Sequence, residues 1–94
     1  MLVMLCRNRV ADFDKWHAVF ACHAQAHRDA GLHLLNLWRG LDDPEEVFFV
    51  FEVTSMTKAR EFIGNPSAAA AAKASGVLEG EYHFLETSAG YSLA

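Results

Sequence analysis

The residues Leu2-Val3-Met4-Leu5-Cys6 are apolar in unbroken succession, and the run stops at Arg7, Asn8 and Arg9. A short apolar run without helical gaps, closed by polar residues, predicts a strand over residues 1–9. From Phe13 the period changes. Phe13, Trp16, Phe20, His23, His27 and Ala30 recur at intervals of three and four, which is one face of a helix over residues 12–30. Asp12 stands where an N-cap belongs, Gly31 where a left-handed stop belongs, and Asp14, Lys15, Gln25, Arg28 and Asp29 take the opposite side. Two extended runs follow, at 32–41 and 47–53, joined by Asp42-Asp43-Pro44-Glu45, whose Asp and Pro residues favour a turn. Thr54 or Ser55 then caps a short helix with the stripe Met56, Ala59, Phe62 and Ile63. Asn65-Pro66 opens another, which carries the alanines 68–72 and ends at Gly76. A last strand is expected over about 81–86 and a loose tail over 87–94.

Strand, helix, strand, strand, helix, strand is the order of the ferredoxin-like βαββαβ fold, an α+β class with a four-stranded antiparallel sheet and helices on one face. Such a sheet ordinarily alternates apolar and polar residues, because its second face meets water. These strands do not. In 47–53 the set Val47, Phe49, Phe51, Val53 suits the helices, yet Phe48 and Val50 on the other phase are apolar too, broken only by Glu52. Both faces therefore call for burial, and a second copy packed sheet to sheet would supply the missing cover. A homodimer forming a dimeric α+β barrel is the expectation.

Composition supports that picture. A chain of 94 residues suggests a single domain over 1–94, and 52% hydrophobic residues is more than one small core absorbs. Eight Lys and Arg against twelve Asp and Glu, net −4 with no basic cluster, argue against nucleic acid and anionic membranes as partners. No apolar stretch is long enough to span a bilayer, and the first run is too short and too soon interrupted by Arg7 and Arg9 to be a secretion signal. A cytoplasmic location is therefore expected, with Cys6 and Cys22 reduced.

Five histidines carry most of the candidate chemistry. His23 and His27, four apart on the apolar stripe, are the pair that could share a metal ion with a carboxylate such as Glu52 or Glu86. The plainer reading has them bonding backbone or water near the helix end, and no further His or Cys spacing supports a metal. His83, on the last strand in the phase opposite to Tyr82 and Phe84, is the candidate acid or base facing the barrel interior. It too has a plain reading, as a packed and satisfied residue. Glu52, a carboxylate in an apolar strand, is expected to pair with Arg7 or Arg39. Trp38 is either a wall for an aromatic ligand or interface packing; Trp16 is core.

Several stretches resemble a known group. They are Val10-Ala11-Asp12-Phe13-Asp14-Lys15-Trp16 with Phe20, His27-Arg28-Asp29-Ala30-Gly31, Arg39 with Asp42-Asp43-Pro44, 47–53, Lys58-Ala59-Arg60-Glu61-Phe62, and Ala74-Ser75-Gly76-Val77. Together they are similar to the small dimeric α+β-barrel proteins, which include antibiotic-biosynthesis monooxygenases and stress-responsive barrels. The resemblance implies a homodimer and a small-molecule-binding or cofactor-independent oxygenase-like role on an apolar or aromatic compound. It implies Asn8 as a ligand-orienting residue, and Arg39 is the second polar candidate for that role. Haem-degrading members use a His at the start of the second helix, and no His occurs between Glu52 and Lys73, so no cofactor is expected. The alternatives are a non-catalytic homodimeric module and a metal-binding protein using His23 and His27.

Overall fold

The computed structural model describes residues 1–88 and 90; the part of the expected loose tail at 89 and 91–94 lies outside the described residues. The elements run β1 (Leu2–Val10), α1 (Phe13–Cys22), α2 (Ala24–Asp29), β2 (Leu32–Arg39), β3 (Glu46–Val53), α3 (Met56–Gly64), α4 (Pro66–Ala74) and β4 (Val77–Glu86). The strands form one sheet in the order β2-β3-β1-β4, every neighbour antiparallel, which is the ferredoxin-like arrangement. No helix among the described residues is long and apolar enough to cross a membrane.

Local chemistry explains most boundaries. The Asp12 carboxylate accepts from the Lys15 backbone N–H at 3.2 Å, and the Ser55 hydroxyl does the same for Lys58 at 3.2 Å. Asn65 accepts from Ser67 N–H at 2.9 Å, with Pro66 in the first position of α4. Gly31 holds φ +73°, and its carbonyl takes both the backbone N–H (2.9 Å) and the hydroxyl (3.2 Å) of Thr54. This links the end of α2 to the end of β3.

Two elements depart from the sequence expectation. The helix over 12–30 is two helices, with His23 as the joint. Its backbone N–H is shared between the carbonyls of Val19 (3.2 Å) and Phe20 (3.1 Å), and its ring Nδ1 also reaches the Val19 carbonyl at 2.8 Å. That tightened turn ends the regular ladder and lets α2 start afresh at Ala24. The last strand begins at Val77 rather than near Glu81. Glu79 and Glu81 disguise it in the sequence, but they lie across from Arg9 and Arg7 in the register and pair with Arg7.

The helices lie on one sheet face and close a single core of Met4, Cys6, Val10, Trp16, Ala30, Leu32, Val47, Phe49, Phe51, Val53 and Ala59. The β3 phase is the expected one: Val47, Phe49, Phe51 and Val53 face the helices. Trp16 meets Phe49 at 5.6 Å and Phe20 at 4.8 Å between ring centroids. Burial pushes the Cys6 thiol up to about 12, so it remains protonated and acts as packing.

The other face has no helix. Register places Val3, Leu5, Arg7 and Arg9 of β1 there, with Glu46, Phe48, Val50 and Glu52 of β3, His33, Asn36 and Trp38 of β2, and Glu81, His83 and Leu85 of β4. One end is ionic. Arg7 contacts Glu81, Glu46 (2.8 Å) and Glu79 (3.2 Å), and Arg9 contacts Asp43 (2.8 Å) and Glu46 (3.4 Å). These arginines hold Glu81 and Asp43 below the usual carboxylate range, and Glu81 is held down further by His83. The remainder mixes apolar residues, of which Phe48, Trp38 and Leu85 are exposed, with His33, Asn36, Glu52 and His83.

A groove between the helices and the edge strand

On the helix-covered face, where α1 and α2 pass over β2 and β3, the chain leaves a groove of about 490 Å³. Phe20 reaches it from α1, Leu32, Leu34 and Leu37 from β2, and Phe51 from β3; Ala21 and Ala24 keep the helix side open. Two local features make the space. The joint at His23 interrupts the helix above it, and a bulge at Leu35 breaks the β2 register between Leu34 and Asn36. The bulge turns β2, an edge strand, so that Leu34 pairs with Phe51 and Leu37 with Phe49 on the same face.

His27 stands among the aromatic walls. Its ring lies 5.0 Å from Phe20, 5.2 Å from Phe51 and 5.6 Å edge-on from Phe62, between centroids. Burial among these rings pushes its pKa down to about 4, helped by the neighbouring His23 and Arg28. At neutral pH it is an uncharged imidazole, able to donate one hydrogen bond and accept another. His17, Arg28 and His33 border the opening. The His17 ring stacks on Phe13 at 5.5 Å and 14°, and Arg28 Nη2 donates to Gln25 Oε1 at 2.9 Å.

The residues singled out from the sequence do not gather in one place. Glu52, Trp38 and His83 lie on the helix-free face, where His83 Nε2 is 3.3 Å from Glu81. Asn8 and Arg39 lie on the other face, across from Val47 in the register. Asn8 fills the space over Gly80, where a Cβ would come within 2.9 Å of its Oδ1. Arg39 covers the ring of Phe13 at 3.9 Å and donates to the Pro44 carbonyl at 3.1 Å. The expected pairing of Glu52 with Arg7 or Arg39 does not form. Arg7 is taken by Glu46, Glu79 and Glu81, and Arg39 points to the opposite face. Instead Glu52 sits between Val3 and His33 in the register.

For the metal reading, the His23 ring is engaged with the Val19 carbonyl, and among the described residues no cluster of three His, Cys, Asp or Glu side chains is assembled. Among the groove residues that the sequence did not single out are His17, Arg28, Leu34 and Leu37; the sequence pattern places Arg28 on the solvent side of one continuous helix, whereas in the structure it borders the groove from α2.

No protein-family model and no curated protein matches the sequence. Solved structures do match the fold over nearly the whole chain. An uncharacterised NIPSNAP domain protein from Burkholderia xenovorans is 14% identical, with TM-score 0.71, covering 98% of this chain and 99% of that one. SnoaB from Streptomyces nogalater, described as a cofactor-independent oxygenase and solved as a mutant, is 19% identical, with TM-score 0.72, covering 98% and 95%. An antibiotic biosynthesis monooxygenase is 13% identical, with TM-score 0.68, covering 94% and 99%. The fold is therefore that of the antibiotic-biosynthesis-monooxygenase-like and NIPSNAP structures.

Proposed function

We propose that this chain is a small-molecule-binding protein that works as a homodimer and holds an apolar or aromatic compound in the groove between α1–α2 and the β2–β3 strands. The observation that carries the reading is the groove itself. Its volume of about 490 Å³ is within the ordinary range for small-molecule sites, and its walls are aromatic and aliphatic around one partly buried imidazole. Phe20 and the exposed Leu34 offer apolar surface to a flat ring, and His27 offers a hydrogen bond that fixes its orientation.

The helix-free sheet face supports the dimer. Facing copies would bury Phe48, Trp38 and Leu85 and enclose Glu52 and His83 in the barrel interior. The charge networks at the ionic end would then lie at the margin.

For activity, the likeness to a structure described as a cofactor-independent oxygenase favours oxygenation of an electron-rich aromatic over binding alone. Such a substrate supplies its own electrons to molecular oxygen once it has lost a proton. A histidine whose conjugate acid has a pKa of about 4 is a weak base at neutral pH. The role of His27 is thus to position a substrate hydroxyl, and a nearby positive charge must favour the ionised form. An oxygen electrode tests this with a hydroxylated anthrone. Uptake above the spontaneous rate, abolished by the groove-filling Ala24→Trp, supports an oxygenase. Binding without uptake leaves a binding protein, and the absence of binding overturns both.

A further inference from the structure

The groove has an unusual charge character. Twelve of the 94 residues are Asp or Glu and the chain carries net −4, yet no carboxylate lines the groove among the described residues. The polar side chains on the helix side of the lining are His17, His27 and Arg28, none of them an acid, while His33 borders the groove from the edge strand at a register position across from Glu52 on the other face. The adjacent acids are turned to other tasks. Asp29 accepts from Gln25 Nε2 at 2.8 Å, and Glu52 lies on the far side of the sheet.

Arg28 is held by a neutral partner rather than neutralised. Gln25 bridges the pair, accepting from the Arg28 guanidinium through its carbonyl while donating to Asp29 through its amide. No ion pair involves Arg28 among the described residues. Arg7 and Arg9, by contrast, are each met by two or more carboxylates on the other face. A guanidinium positioned at the mouth of an apolar groove with its charge left uncompensated is a receptor for a planar anionic group.

We infer that the groove selects an anion: its ligand is a flat aromatic molecule with a single negatively charged end, the ring lying against Phe20, Leu34 and Leu37 and the charge meeting Arg28 at the rim. The inference rests on the groove being the binding site and specifies what it takes. His27 fits this role, since an uncharged imidazole inside the groove can donate to the anion while tolerating its apolar surroundings. Arg28 is a binding residue here, placed by Gln25.

The test is calorimetric titration of the whole protein with three probes of one shape at pH 7.5 and low salt: 2-naphthoate, 2-naphthamide and 2-naphthylmethylammonium. The expected order is naphthoate about five- to tenfold tighter than naphthamide, with the cation weakest. In Arg28→Gln, at an exposed position that leaves the core intact, naphthoate and naphthamide should bind within about twofold of each other. Equal binding of naphthoate and naphthamide to the unaltered protein, or a preference that survives Arg28→Gln, overturns the anion inference while leaving the groove reading in place. Failure of all three probes to bind overturns both.

Discussion

The His27 and Phe51 rings lie 5.2 Å apart at 58°, so a titratable side chain is packed against the middle of the sheet's main core strand. Their contact joins the helical layer to β3, and it makes the groove and the stability of the fold depend on the same imidazole staying neutral.

Stability should follow His27. Its pKa is near 6.5 in the unfolded chain and about 4 when folded, so between those values the unfolded state binds more protons. The ring's contribution is present above pH 6.5 and lost as pH falls towards 4. Discounted for partial exposure, the loss is about 1–2 kcal/mol. Thermal unfolding between pH 7 and pH 5 should therefore show a falling midpoint. In His27→Phe, which keeps the ring and removes the titration, the midpoint should stay level over that interval. The interval lies above the range in which Asp43 and Glu81 titrate, so their pairs with Arg9 and Arg7 do not mask the effect.

The helix-free face should associate. Trp38 is 47% exposed in the single chain while Trp16 is 2% exposed, so a concentration-dependent shift in tryptophan emission reports on Trp38. The dimer reading expects blue-shifted emission at high concentration, a red shift on dilution, and a sedimentation coefficient for two chains. Phe48→Glu, which places a charge in the apolar part of this face, should give a folded monomer with permanently red-shifted emission. A chain that sediments as a monomer at micromolar concentration contradicts the dimer.

Gly31 should resist substitution. With φ +73° and a Cβ that would come 3.0 Å from Thr54 Oγ1, Gly31→Ala combines a left-handed backbone with a close contact. A loss of about 1–2 kcal/mol in chemical denaturation is expected. Ala substituted at Gly64, where nothing stands within 4 Å of the added Cβ and the residue is helical, should be neutral or slightly stabilising.

Much of the fold was legible because period and packing agree. The series Phe13, Trp16, Phe20 lies on the sheet as its spacing demands, and the alternation in β3 separates Phe49 and Phe51 from Phe48 and Val50 as expected. The caps Asp12, Ser55 and Asn65 act where such residues commonly act. The site was harder to see because it is made by irregularities. A bulge at Leu35 leaves no mark in the leucine-rich stretch Leu32-His33-Leu34-Leu35, and the joint at His23 depends on one ring reaching one carbonyl. Polarity within the strands drew attention to His83 and Glu52, which sit on the helix-free face. The apolar stripe, by contrast, already held Phe20 and His27, the two groove residues now at its centre.

The most direct test of the account is chemical-shift mapping with uncharged 2-naphthamide on the isotope-labelled protein. The groove reading expects perturbed amides at Ala24, His27, Leu34 and Leu37, saturating with ligand and absent in Ala24→Trp. Perturbations confined to Trp38, Glu52 and His83, or none at all, would contradict it.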